Sequence, residues 1–220
     1  MSATAPSDRV RVRRVPKRAV YDREVIDAIL DEAFVAHLGF CVHEQPYVVP
    51  TLHARIGDTL YVHGSSASRT VRRLAAGVPA CVTVSLVDGL VLARAAFHHS
   101  MNYRSVVVLG TMRLVTGEEE RVRALEAFTE RLMPGRWSEV RPPSEQELRA
   151  TQVLSIALDE CSAKVRTGGP VDDADDMDSD AWAGVVPLRL TPGAPEPDPA
   201  MPATIPPSSA VTAWLADRAR

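Results

Sequence analysis

Two histidines, an amide, a phenol, a guanidinium and a hydroxyl crowd into FHHSMNYRSVVVLG, residues 97–110, directly before an unbroken apolar run. Such a set could ligate a metal, catalyse a hydrolysis or line a binding pocket. Metal ligation fits poorly. His98 and His99 are neighbours on an extended segment, where successive side chains point to opposite faces, and no HExxH or CxxC spacing accompanies them. Nucleophilic hydrolysis fits no better, because the GxSxG elbow that exposes a serine on a strained turn is missing. The GxGxxG dinucleotide fingerprint and the GxxxxGK[ST] phosphate loop are also absent. No residue stands out as a catalytic acid, base or nucleophile, and no resident metal is expected.

A different chemistry is offered by HGSSASRTVRRL, residues 63–74. Serine hydroxyls and free backbone N–H groups at a helix start converge on one spot, and Arg69 adds a forked, charged donor. That combination suits a phosphate group, although serines in this position also serve as simple helix caps.

These residues need elements to position them. Asp22 can cap a helix whose apolar positions, Val25, Ile26, Ile29, Leu30, Ala33 and Phe34, keep i, i+3, i+4 spacing. The helix is expected to run to near Gly39 and to carry His37. The period then becomes extended, with strands expected at 39–43, 47–55 and 59–63 and turns at Gln45-Pro46 and Gly57-Asp58. A short helix follows, ending at Gly77. Asp88-Gly89 reads as a hairpin turn between two strands, and a further strand covers 103–116. Thr116 with Glu119, and Ser144 with Glu147, are capping-box patterns, each opening a helix. TQVLSIALDECSAKVR alternates as one last long strand. The aspartate cluster of 167–181 lacks the EF-hand pattern and reads as a solvated loop. WAGVVPLRL, 182–190, returns briefly to structure. Residues 1–20 thus form a basic arm, 21–190 one domain and 191–220 a Pro-rich tail.

YVVPTLHARIGDTLYVHGSSASRTVRRL followed by YRSVVVLG resembles the pyridoxamine 5′-phosphate oxidase-like, FMN-binding split-barrel superfamily, and more closely its nitroimidazole-resistance, flavin-nucleotide-binding branch. The resemblance spans about residues 22–190. It implies a mainly β fold with peripheral helices: a six-stranded split barrel that forms a homodimer and holds FMN at two shared sites. It places the flavin ring along Val49, Pro50, Thr51, Leu52 and His53, and the phosphate on His63, Gly64, Ser65, Ser68 and Arg69. Ser105, with Tyr103 and Arg104 beside it, would reach the flavin from the other subunit, and Lys164 would approach the phosphate. The activity implied is an FMN-dependent oxidoreductase, possessing a nicotinamide electron donor and a small-molecule acceptor, nitroreductase-like among the options. Pyridoxamine-phosphate oxidases carry Ser-Arg-Lys at the phosphate site, whereas Ser68-Arg69 is followed here by Thr70; the flavin site is therefore carried over and the vitamin B6 substrate is not. Two alternatives remain open. The same scaffold could hold a deazaflavin cofactor or haem, with His53, His63, His98 or His99 as axial ligand, or it could be a non-enzymatic flavin carrier or sensor.

Composition agrees with a cytoplasmic protein of this kind. The chain has 220 residues, 45% hydrophobic and 24% charged, enough for a sizeable core. A net charge of -3 and a pI near 6.1 argue against a nucleic-acid binder, which needs a basic face. No segment is apolar for long enough to cross a membrane, and no secretory leader is evident. Cys41, Cys81 and Cys161 are odd in number and unpaired in spacing, so reduced thiols are expected.

Overall fold

The computed structural model describes residues 4–202 and 204–218; the first three residues of the arm, and residue 203 and the last two of the tail, lie outside the described residues. Asp22 accepts hydrogen bonds from the Glu24 and Val25 N–H groups and starts α1 (Arg23–Glu32). Ile26, Ile29 and Leu30 are no more than 2% exposed, and burial of each is worth about 1.5–3 kcal/mol. The helix stops well short of Gly39. From Val35 the chain alternates, with Ala36, Leu38 and Phe40 inward and Val35, His37 and Cys41 outward, so the period of two wins and β2 (Val35–Val42) forms. His37 is therefore a strand residue.

β1 (Ala19–Val20) ends the basic arm and pairs with β9 (Cys161–Arg166) of the same chain. β2 turns through His43 and Glu44, both at positive φ (47° and 65°), into β3 (Gln45–Ile56). The turn thus falls two residues before the expected Gln45-Pro46, and Pro46 pairs with Cys41 inside the ladder. Gly57, at φ 55°, makes the next turn into β4 (Thr59–Ser65), which leads to α2 (Arg69–Ala75).

β5 (Pro79–Leu92) is one strand and not the expected hairpin. Its register against β6 (Ser100–Thr111) shifts between Val87 and Gly89, so Asp88 is a bulge. Gly89 is required by close packing: a Cβ there would stand 3.0 Å from the Val186 carbonyl of β10 (Gly184–Pro187), which runs antiparallel along this half of β5. The expected last long strand is likewise two, β8 (Thr151–Ala157) and β9, because Leu158 to Glu160 turn the chain from one side of the barrel to the other. β7 (Arg113–Leu114) flanks β8. α3 (Glu118–Leu132) is capped by Gly117 without a side-chain bond, so the Thr116 capping box does not form; the Ser144–Glu147 box does, at the head of α4 (Glu145–Ala150). The tail ends in α5 (Ser209–Arg218), where the Ser209 hydroxyl and Ala210 N–H both donate to Glu139.

Every strand pair is antiparallel, in the order β1-β9-β6-β5-β2-β3-β4-β8-β7. The described residues hold ten strands where six were expected; the short β1, β7 and β10 and the division of the last strand account for the difference. The sheet rolls up until Gly110 of β6 faces Ile156 of β8, a contact so close that a Cβ on Gly110 would lie 3.0 Å from the isoleucine. α1 fills the interior with Leu38, Val82, Val84, Val106 and Val108, while α3 covers a second cluster around Tyr61, Phe128 and Val153. No helix among the described residues is long and apolar enough to cross a membrane.

Candidate functional site

The barrel splits where the site residues gather. β3 pairs with β4 only from His53↔Val62 to Ile56↔Thr59. Beyond that point β3 stays on β2 through Val49, Pro50, Thr51 and Leu52, while β4 stays on β8 through His63, Gly64 and Ser65. The two expected segments thus flank one split, with α2 at the β4 side.

Ser68 is the N-cap of α2, its hydroxyl accepting from Val71 N–H at 3.5 Å. The Ser65 hydroxyl accepts from Ala67 N–H at 3.2 Å, and the Ser65 carbonyl accepts from Ser68 N–H at 2.9 Å. Arg69 has no carboxylate partner among the described residues; its guanidinium stands 5.7 Å from the centre of the Tyr47 ring, over a small crevice shared with Phe40, Val42 and Arg73. Gly64 has a packing role: a Cβ would come within 2.7 Å of Val71, so only glycine lets α2 lie on β4. Two buried polar atoms without a protein partner, His63 Nδ1 and Gln152 Oε1, sit at the end of β4, Gln152 being in register with Gly64. Buried polar groups are normally satisfied, so each atom marks a spot suited to a polar partner, on opposite faces of the sheet: His63 on the side of Phe128, Gln152 on the side of Gly64.

Strand geometry divides the residues of the expected flavin strand. Tyr47, Val49, Thr51 and His53 share the inward face, while Val48, Pro50 and Leu52 face outward. His53 is wholly buried, with Nε2 at 2.9 Å from the Leu30 carbonyl at the end of α1. Burial holds its imidazole below the ordinary value of 6.5, the Leu30 bond opposing. Its side chain is therefore an interior support that ties β3 to α1. His63 leans on Phe128 of α3, 4.4 Å between ring centres, and burial lowers its pKa too.

The β6 residues lie across the sheet from the split, separated from β3 by β5 and β2. Ser105 is in register with Lys164 and donates to its carbonyl at 3.4 Å. Tyr103 lies half-buried opposite Arg166. Arg104 is engaged within the chain. It bridges both oxygens of Glu32 and both of Asp88, bonds that, Glu32 first, hold its guanidinium still more firmly charged than usual. The rest of the polar stretch is anchorage. Arg166 and Asn102 bond each other and the Gly168 carbonyl, Arg94 clamps Asp172, and His98 meets Asp173 at 3.1 Å. The acidic loop is thereby tied to FHHSMN.

A feature absent from the sequence reading is a groove of about 690 Å³ on the outer face, between the end of α1, β2, β5 and the tail. His37, Val35, Val87 and Arg104 line it, with Leu188 to Leu190 and Arg218 from the C-terminal region. In the sequence its signal is the exposed half of the β2 alternation, Val35 and His37, which lies within the span expected to be helical.

This split antiparallel barrel defines a class, and sequence comparison agrees with it. The chain belongs to the pyridoxamine 5′-phosphate oxidase family, whose model matches residues 22–165, within a flavin-binding group of split barrels. It is similar over nearly its whole length to the flavocytochrome Anf3 from Azotobacter vinelandii, with 42% identity, 96% of this chain and 98% of that one covered, and a TM-score of 0.90. The FAD and heme binding protein from Mycobacterium smegmatis shares 36% identity over 89% of this chain and 96% of its own, TM-score 0.86. A Bacteroides thetaiotaomicron protein assigned to 5-nitroimidazole antibiotic resistance shares the fold, at 24% identity over 67% of this chain and 86% of its own, TM-score 0.57. No curated protein matches.

Proposed function

We propose that the chain is a redox protein of the flavocytochrome type, holding a flavin nucleotide in the barrel split and a haem on the outer groove. The observation that carries this reading is the likeness, over 96% and 89% of the chain, to two proteins described as a flavocytochrome and as an FAD and heme binding protein. The side chains suit both groups. Arg69, Ser65 and Ser68 at the passage from β4 to α2 suit a phosphate; exposed Pro50 offers an apolar outer wall to a ring. FAD is favoured over the FMN of the sequence expectation because the Mycobacterium smegmatis relative is described with FAD. A deazaflavin finds no such support.

A bound flavin would supply hydride and electron chemistry; the protein's part is to seat, orient and shield it. Arg69 and the two serine hydroxyls fix the phosphate end. Buried His53 keeps β3 on α1 and so sets the strand along which the ring would lie. Ser105, Tyr103 and Lys164 stand too many strands away to serve the same split, so they act across a homodimer, for which exposed Val48 (67%) on the outer face provides apolar surface. The reaction proposed is oxidoreduction with a nicotinamide donor and a small acceptor.

The test is the visible spectrum of the purified protein with mass analysis of the released ligands. Flavin bands together with a Soret band, and a released mass of FAD, are expected. FMN alone without haem-binding capacity would return the reading to a simple FMN oxidoreductase, and a colourless protein that takes up neither cofactor would refute it.

A further inference from the structure

We infer that His37 is the axial ligand of the haem iron, an assignment that rests on the two-cofactor reading above. Neutral imidazole is a common iron ligand and needs a free ring nitrogen facing an apolar, porphyrin-sized space. Among the described residues, His37 is the histidine that lines a space of this size, whose apolar walls are interrupted by the Glu32–Arg104–Asp88 group and rimmed by Arg189 and Arg218. It lies on the outer face of β2, lines the groove of about 690 Å³, and makes no side-chain hydrogen bond. A volume of that order falls within the roughly 300–1,000 Å³ of ordinary ligand pockets.

The four histidines that the sequence offered as ligands are placed otherwise. His53 is wholly buried and bonded to Leu30. His63 packs on Phe128 beneath α3. His98 bonds Asp173, and His99 Nδ1 bonds the Ala95 carbonyl. None of the four lines the groove. His43, the remaining histidine, lies in the β2–β3 turn with φ 47°.

The walls suit a porphyrin. Val35 and Val87, 49% and 45% exposed, flank His37 from β2 and β5, and the exposed Leu188 and Leu190 of the C-terminal segment stand at its edge. Arg189 and Arg218 bring positive charge to the rim, where carboxylates such as haem propionates would be met by charge-assisted bonds. Arg104, also present, is already neutralised by Glu32 and Asp88. His37 also stands in register with Pro50 on the expected flavin strand. Directly opposed residues of an antiparallel pair have Cβ atoms about 4.5–5.5 Å apart, so the ligand would adjoin the flavin's own wall.

Haemin titration of the purified flavin-loaded protein tests this, with His37→Ala compared with His99→Ala and wild type. In the wild type and in His99→Ala a Soret band saturates. In His37→Ala haem affinity falls at least roughly tenfold, the lower end of what even an indirect ligand partner costs a metal site, and added imidazole restores the wild-type spectrum. Flavin content and melting temperature stay unchanged. Unaltered Soret position and affinity in His37→Ala, with wild type binding haem, overturns the ligand assignment alone. A wild type that takes up no haemin overturns the haem reading and the ligand with it. Should His37→Ala fold poorly, His37→Met decides: a shifted Soret band supports the assignment, and an unshifted one overturns it.

Discussion

Arg104 and Arg69 are both arginines of the expected site, yet their surroundings give them different work. Removing Arg104 leaves Glu32 and Asp88 facing each other without a cation, so Arg104→Met is expected to cost about 1–2 kcal/mol of stability, at the lower end because the group is partly exposed. Denaturant unfolding measures it, and flavin content should be unaffected. Arg69 has no such duty, so Arg69→Ala should leave the melting of the ligand-free protein unchanged and weaken flavin binding by about 1.5–3 kcal/mol, read by fluorescence titration. His53 carries a pH dependence. Its folded pKa lies below 6.5 because burial disfavours the cation, so below pH 6.5 the unfolded chain binds the extra proton first. Stability is therefore full above about 6.5 and falls as acid approaches the lower folded value. Thermal melts from pH 8 to 5 should show this slope lessened in His53→Gln, which keeps a donor for the Leu30 carbonyl; an equal slope in both would clear His53 of the effect.

At the scale of elements, α2 and β4 are held in contact by the absence of a side chain. Gly64→Ala would drive a methyl to 2.7 Å from Val71, and such overpacking typically costs about 1–3 kcal/mol. The double variant Gly64→Ala, Val71→Ala should recover part of that loss, and a double-mutant cycle in urea measures the coupling. The same logic explains two elements that the sequence misrepresents. Asp88-Gly89 has turn chemistry, but Gly89 is small because β10 passes over it, and β10 arrives from almost a hundred residues further along the chain. The alternation of β2 was hidden because its inward residues, Ala36 and Phe40, also continue a plausible helical stripe from α1. Local period cannot decide between two partners it does not see.

For the whole molecule, the proposed shared site calls for a dimer, since β5 and β2 separate β6 from the split. Sedimentation should give twice the chain mass of 23.9 kDa, and Val48→Asp, which places a charge on the exposed outer face, should shift the protein toward monomer and lower flavin retention together. Monomer in the wild type would sink the shared-site arrangement. By itself the sequence determined the class of the fold, the Asp22, Ser68 and Ser144 caps, and the passage from β4 into the short helix α2, because these depend on local period, capping chemistry and contiguous motifs. Only the tertiary structure decided that Arg104 is held by Glu32 and Asp88, that His53 is buried beneath α1, and that His37 faces a groove edged by Leu188 to Leu190 and Arg218. Each of those depends on which distant segment meets which face once the barrel rolls up, and that is fixed by burial summed over the whole chain and not by any stretch of it.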